Sequence, residues 1–244
     1  MHLQFVGCGD AFGSGGQLNT CFHVAGDGAN FLIDCGASSL IGLNRHGIAR
    51  HAIDVILATH FHGDHFGGIP YFVLDAHFAK RARPLIIAGP PGIEAWYRRA
   101  MEAAFEHFSK IKLAFELRIV SLPERATTKV GTLQVTPFPV VHGNSGGPFY
   151  GYRIEVEDRL IAFSGDTEWT DTLVEIARDV DLFIIECYAY DKPIRNHLNF
   201  KTIEQNLARL AARRLVLTHM SDDMLACRHK VPHLSASDGM VLAL

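Results

Sequence analysis

Cysteine is scarce and poorly spaced for a framework. The 244 residues contain five, Cys8, Cys21, Cys35, Cys187 and Cys227, an odd total with no CxxC pair. That argues against a disulfide scaffold and for reduced thiols in a cytosol. An excess of either charge is also missing, since 23 Lys and Arg stand against 26 Asp and Glu. Strong nucleic-acid or anionic-membrane binders usually carry a basic surplus, so neither partner is expected. The opening Met-His-Leu-Gln-Phe-Val-Gly lacks a basic then apolar leader, and no apolar stretch approaches the ~20 residues that span a bilayer. No linker, low-complexity tract or short repeat divides the chain, so one domain over residues 1–244 and a cytoplasmic location are expected.

Apolar residues make up 48% of the chain, enough for a sizeable core. Short runs rich in Val, Ile, Leu and Phe read as strands: Leu3–Val6, Phe31–Ile33, Val55–Ala58, Leu85–Ala88, Leu133–Phe138, Leu160–Phe163, Leu182–Ile185 and Leu215–Leu217. Helical spacing falls between them over Ile69–Lys80, Gly92–Phe108, Trp169–Arg178 and Lys201–Ala212. Pro91 suits a first helical turn, and Asn199 or Thr202 could cap the last helix. Two strand-rich halves with interspersed helices predict an α/β protein of two sheets packed face to face, helices outside.

The 14 histidines are the unusual feature, and several are grouped. Thr59-His60-Phe61-His62-Gly63-Asp64-His65-Phe66-Gly67-Gly68 directly follows a strand and precedes a helix. Three imidazoles and a carboxylate within six residues are hard to explain as packing, and they are the donors that suit zinc and other divalent first-row metals. His60 and His62 can turn to one metal while Asp64 and His65 face a neighbouring one. That leaves both short of ligands. His142, Asp166 and His219 each stand just past a later apolar strand, where donors from several strands can converge.

The run HFHGDH resembles the HxHxDH signature of the metallo-β-lactamase superfamily, and His142, Asp166 and His219 match its later ligands. The resemblance implies a four-layer αββα sandwich with a dinuclear site at one sheet edge. Carried over, His60, His62 and His142 hold one divalent ion, Asp64, His65 and His219 the other, and Asp166 bridges them. Zinc is the expected metal, with manganese or iron able to use the same ligands. The resemblance also implies a bridging hydroxide as nucleophile.

Which branch follows from further residues. Lactam hydrolases commonly place a cysteine where this chain has Asp166. Flavin-linked di-iron relatives place Glu where it has His62. Glyoxalase II adds a helical C-terminal domain, for which the 25 residues after His219 are too few. The opening Val6–Cys21, with its Gly-rich turn, is similar to the start of ribonuclease Z. Ile185-Glu186-Cys187 followed by Asn196-His197-Leu198-Asn199 resembles ribonuclease Z and cyclic phosphodiesterases, which carry a non-ligand histidine here that protonates the leaving oxygen. The catalytic set implied is therefore Asp64, His197 as general acid and Glu186 as its orienting partner. Ribonuclease Z commonly inserts a basic arm that grips transfer RNA between the third histidine and the bridging aspartate. Here His142 and Asp166 are 24 positions apart, and a Gly-rich turn and two short strands fill the interval.

A dinuclear phosphodiesterase of a small anionic phosphodiester is thus expected, not a transfer-RNA processor. A thioester or lactone hydrolase on the same site, or a non-catalytic metal carrier or sensor, are the alternatives. Related proteins are often dimers, which makes a homodimer the implied assembly. The turn after His142, Gly143 to Pro148, reads as a flexible connection rather than a phosphate cradle, and Lys80, Arg81, Arg83, Arg98 and Arg99 as solvated helix faces. Trp96, Tyr97, Phe105 and Phe108 read as packing.

Overall fold

The computed structural model describes residues 1–244. In chain order, the first half builds β1 (His2–Gly7), β2 (Cys21–Ala25), β3 (Asn30–Ile33), α1 (Ser39–Arg45), β4 (Val55–Leu57), α2 (Gly63–Phe66), α3 (Ile69–Phe78), β5 (Leu85–Gly89), α4 (Ile93–Ala104) and β6 (Leu117–Ser121). The second half builds β7 (Thr128–Val130), β8 (Leu133–Pro139), β9 (Tyr150–Val156), β10 (Arg159–Phe163), α5 (Thr172–Ile176), β11 (Leu182–Glu186), α6 (Phe200–Asn206), β12 (Leu215–Thr218) and α7 (Asp222–Cys227). Two short strands close the chain, β13 (Leu234–Ser235) and β14 (Val241–Ala243).

These strands form two sheets of seven, ordered β14-β1-β2-β3-β4-β5-β6 and β13-β12-β11-β10-β9-β8-β7. Each is antiparallel on one side and parallel on the other, across β3–β6 in the first and β10–β13 in the second. The central strands are apolar on both faces because both faces are covered. Alternation sorts them: Phe31 and Ile33 of β3 join the core between the sheets, while Leu32 joins the layer under α1, α3 and α4. In β11, Leu182 and Ile184 face the inter-sheet core, and Phe183 and Ile185 face α5, α6 and α7. Phe22 of the first sheet meets Phe163 of the second edge-on at 5.1 Å between ring centroids. The expected αββα sandwich is present.

All eight expected strands form, and the expected helices are shorter than their apolar spacing suggested. The helix predicted over Ile69–Lys80 ends at Phe78, because Lys80 turns left-handed with φ 54°. That predicted over Gly92–Phe108 buries Ile93, Tyr97 and Met101 on one face but stops at Ala104, where Phe105 becomes extended. The Trp169–Arg178 stretch is helical only over Thr172–Ile176. The Lys201–Ala212 stretch begins at Phe200, capped by the Asn199 side chain accepting from Thr202 N–H, and tightens to a 3-10 turn from Leu207. Arg81 is a correction of another kind. It is no solvated rim residue but buried, donating to the carbonyls of His51, Ile53, Arg83 and Pro84. All five cysteines are free.

Candidate functional site

The carboxyl ends of β4, β8, β10, β11 and β12 meet at one edge of the sandwich, and the chemistry-bearing residues sit just past them. His60 follows β4, and His62 opens the short helix α2 that carries Asp64 and His65. His142 comes three residues after β8, Asp166 three after β10, and His219 directly after β12. The donor atoms gather into two groups, His60, His62 and His142 in one, and Asp64, His65, Asp166 and His219 in the other. All but His62 are buried.

The ring nitrogens pointing away from the centre settle what the inner ones carry. His62 Nε2 lies 2.9 Å from the Ser145 carbonyl oxygen, and His142 Nδ1 lies 2.9 Å from that of Asn196. His65 Nδ1 lies 2.6 Å from Asp34 Oδ2. A carbonyl or carboxylate only accepts, so each of these nitrogens bears the proton. The Thr59 hydroxyl donates to Asp34 at 2.9 Å and therefore accepts from His60 Nδ1 at 3.1 Å. Thr20 likewise donates to the Gly9 carbonyl and takes the proton of His219 Nδ1 at 3.3 Å.

Five imidazole lone pairs thus converge with two carboxylates. His62 Nδ1 lies 3.0 Å from His60 Nε2 and 3.1 Å from His142 Nε2. His65 Nε2 lies 3.2 Å from Asp166 Oδ1, and His219 Nε2 lies 3.2 Å from Asp166 Oδ2. The buried His65 Nε2 and Asp166 Oδ1 have no hydrogen-bond partner. Facing lone pairs repel and orphaned buried donors and acceptors are costly, so the set fits divalent cations. Burial works against positive charge at His65, but the carboxylates of Asp166, Asp64 and Asp34 around it outweigh that and favour it, charge that a cation held by the Nε2 lone pair would supply. Backbone geometry guards the arrangement at Gly146. It has φ 86°, and a Cβ there would stand 2.4 Å from the His62 ring.

His197 lies outside both donor groups' inner faces. Its ring packs edge-on against His142 at 4.7 Å and stacks on Tyr188 at 4.6 Å. Its Nδ1 lies 3.2 Å from Glu186 Oε2, and Glu186 itself is buried at the end of β11. Glu186 also accepts from the N–H groups of Thr167 and Leu198, which fixes it as an acceptor. Burial alone would hold the imidazolium of His197 down, but the Glu186 carboxylate beside it raises it to about 9. Burial pushes Glu186 up to about 7, against the pull of His197.

Every ligand candidate read from the sequence is therefore placed at this edge, with His197 and Glu186 beside it. Several residues that hold the site together were missed. Asp34 stands directly after the apolar run of β3, the same signal that marked Asp166. The accepting carbonyls of Ser145 and Asn196 belong to the main chain, so no residue type announces them. The turn after His142 is packed against the site rather than loose, with Phe61 N–H donating to the Gly146 carbonyl. Arg83 pairs with Asp54 and Arg98 with Glu94, and neither lines the cleft.

The cleft over these groups encloses about 370 Å³. Phe12, Asn144, Ser145, Tyr188, Asn196 and His197 line it together with five of the seven donors, all but His60 and His65, and no Lys or Arg does.

A family model described as anti-Pycsar protein Apyc1 matches residues 1–235. A ribonuclease Z of Lachnoclostridium phytofermentans is 34% identical over 143 residues, 58% of this chain and 44% of that enzyme. An anti-Pycsar protein Apyc1 of Saccharibacillus brassicae is 30% identical over 120 residues, 48% of this chain and 49% of that protein. The matched stretches thus span about half the length of these two relatives. Among solved structures, a metallo-β-lactamase fold protein of Bacillus subtilis superposes with a TM-score of 0.75 at 19% identity, covering 99% of both chains. The architecture is the metallo-β-lactamase fold.

Proposed function

The chain belongs to the family described as anti-Pycsar protein Apyc1, and from that membership we propose that it is a dinuclear metal-dependent phosphodiesterase of small nucleotide phosphodiesters, cyclic ones first. The observation that carries the reading is the two donor groups with the His197–Glu186 pair beside them. His60, His62 and His142 would hold one cation, Asp64, His65 and His219 the other, with Asp166 shared between them. Zinc suits this nitrogen and oxygen set, and manganese or iron could use it too. Bound there, divalent cations supply Lewis acidity to a phosphoryl oxygen and acidify water into a nucleophile.

The protein's own groups do the rest. Asp34 fixes the ring of His65 directly and that of His60 through Thr59. His197, kept protonated by Glu186, stands beside His142 at the cleft wall and gives its proton to the departing oxygen. Tyr188 holds the flat of that imidazole in place. A small substrate is supported by the lining, which offers no cation to grip further phosphates. The His142–Asp166 interval supports it as well, being filled by a turn and the β9–β10 hairpin rather than a basic arm.

Metal content of the purified protein, paired with hydrolysis of bis(p-nitrophenyl) phosphate, of 3′,5′-cyclic mononucleotides and of a chromogenic lactone or thioester, tests the reading. Two metals per chain and phosphodiester turnover abolished by chelation are expected. Turnover of the acyl substrate alone would overturn the phosphodiesterase assignment while leaving the metal site intact.

A further inference from the structure

We infer that Phe12 is the stacking surface for the substrate's base, a specificity residue that distinguishes nucleotides from other small phosphodiesters. The inference rests on the nucleotide phosphodiesterase reading above. Phe12 is 84% exposed, the most open of the large apolar side chains, and belongs to none of the three apolar clusters. It nevertheless lines the same cleft as the metal-donor groups and His197.

The ring is held there by its backbone. Asp10 is fully buried, and its carboxylate accepts from the N–H of Phe12 at 3.1 Å, the N–H of Ser14 at 3.0 Å and the Ser14 hydroxyl at 2.8 Å. The Asp10 carbonyl accepts from the side-chain amide of Asn19 at 3.0 Å. On the far side of the turn, Gly15 N–H donates to Asp222 of α7 at 3.0 Å. Gly13, Gly15 and Gly16 all have positive φ, which lets the chain reverse within these few residues. A loop tied at both ends thus presents a large apolar side chain to water instead of folding it inward. Such a ring forgoes the stabilisation of burial unless something else covers it.

The rest of the lining says what would cover it. Tyr188 is the cleft's other aromatic side chain, and His197 already occupies one of its faces. Elsewhere the lining of this cleft offers the neutral polar groups of Asn144, Ser145 and Asn196 and no Lys or Arg. A flat, neutral, hydrogen-bonding group complements a cleft that offers an open aromatic face and neutral amides. A nucleobase is such a group, and stacking accepts any base because every base has a π-face.

The test is steady-state kinetics on metal-loaded wild type, F12A and F12W with a purine and a pyrimidine 3′,5′-cyclic mononucleotide and with base-free glycerol 1,2-cyclic phosphate. In F12A the ratio of kcat/KM for nucleotide over glycerol phosphodiester should fall about tenfold, through KM rather than kcat. F12W should restore it. An unchanged ratio in F12A, with wild type active on both substrate types, overturns the role of Phe12 and leaves the phosphodiesterase reading standing. A wild-type enzyme that hydrolyses no phosphodiester overturns both.

Discussion

His65 donates from Nδ1 to Asp34 across 2.6 Å with both side chains fully buried. The same carboxylate accepts from the Thr59 backbone N–H at 2.7 Å and from its hydroxyl, which in turn holds His60. One aspartate outside the inner set thus aims a ring of each donor group. Asp34 adopts φ 58°, so the chain accepts a left-handed backbone for a non-glycine residue to bring it there.

Asp34→Ala should weaken metal binding, most at the group containing His65, by roughly 10- to 100-fold, as loss of such supporting carboxylates does elsewhere. Metal titration followed by elemental analysis checks this. Full occupancy at wild-type affinity would show that His65 holds its orientation without Asp34.

Replacing His197 by Ala should leave metal content unchanged and lower kcat by roughly 10²- to 10⁴-fold on substrates with an alkoxide leaving group. A p-nitrophenolate leaving group needs little proton assistance, so bis(p-nitrophenyl) phosphate should lose far less. Equal losses on both substrates would remove His197 from the role of acid.

The pH profile follows from the same pair. An acid raised to about 9 stays protonated at neutral pH, so kcat should hold below that value and fall as pH rises through it. Glu186→Gln removes the carboxylate that raises His197 and leaves the burial that lowers it. The alkaline limb should then move to lower pH. A limb that stays in place in the variant would assign it to some other group.

Chelation should destabilise the fold as well as stop turnover. Without cations, converging imidazole lone pairs face one another and His65 Nε2 lacks a partner. Thermal melting should shift down in chelator and recover as zinc is added, rising with free metal concentration as linkage requires, by about 1.4 kcal/mol per tenfold for each bound ion once above its Kd. A melting temperature indifferent to both would mean that the donor set binds no metal.

Tyr152→Phe probes how the inter-sheet core supports the site. The Tyr152 hydroxyl donates to the Ala58 carbonyl at 2.7 Å, in the segment leading to His60, and is fully buried. Its loss leaves that carbonyl without the bond, at a cost of about 1–3 kcal/mol. For a chain of this size that corresponds to a fall in Tm of roughly 2–4 °C per kcal/mol, readable by calorimetry.

Much of this was legible in the sequence, for particular reasons. The strands β3, β4, β5 and β11 stand out because burial on both faces makes them continuous apolar runs. β9 carries Tyr150, Tyr152, Ile154 and Val156 inward, but Gly151, Arg153 and Glu155 between them disguise it from a search for such runs. β13 and β14, of two and three residues, are too short for any pattern. The donors were readable because their chemistry lies in side chains directly after strands. The carbonyls that orient His62 and His142 had no such signature, and Phe12 stood in a loop whose glycines drew the reading toward the turn instead of the ring it presents.

Neither sheet supplies a complete donor group. His60 and His62 from the first meet His142 from the second, and Asp64 and His65 from the first meet Asp166 and His219 from the second. The ions would therefore sit on a seam, and their hold depends on how the two sheets are aligned. A slip of one sheet against the other at the Phe22–Phe163 contact, deep in the sandwich, would open both groups together. Metal affinity then becomes a gauge of sheet alignment, and substitutions far from any donor could loosen both ions without touching a ligand.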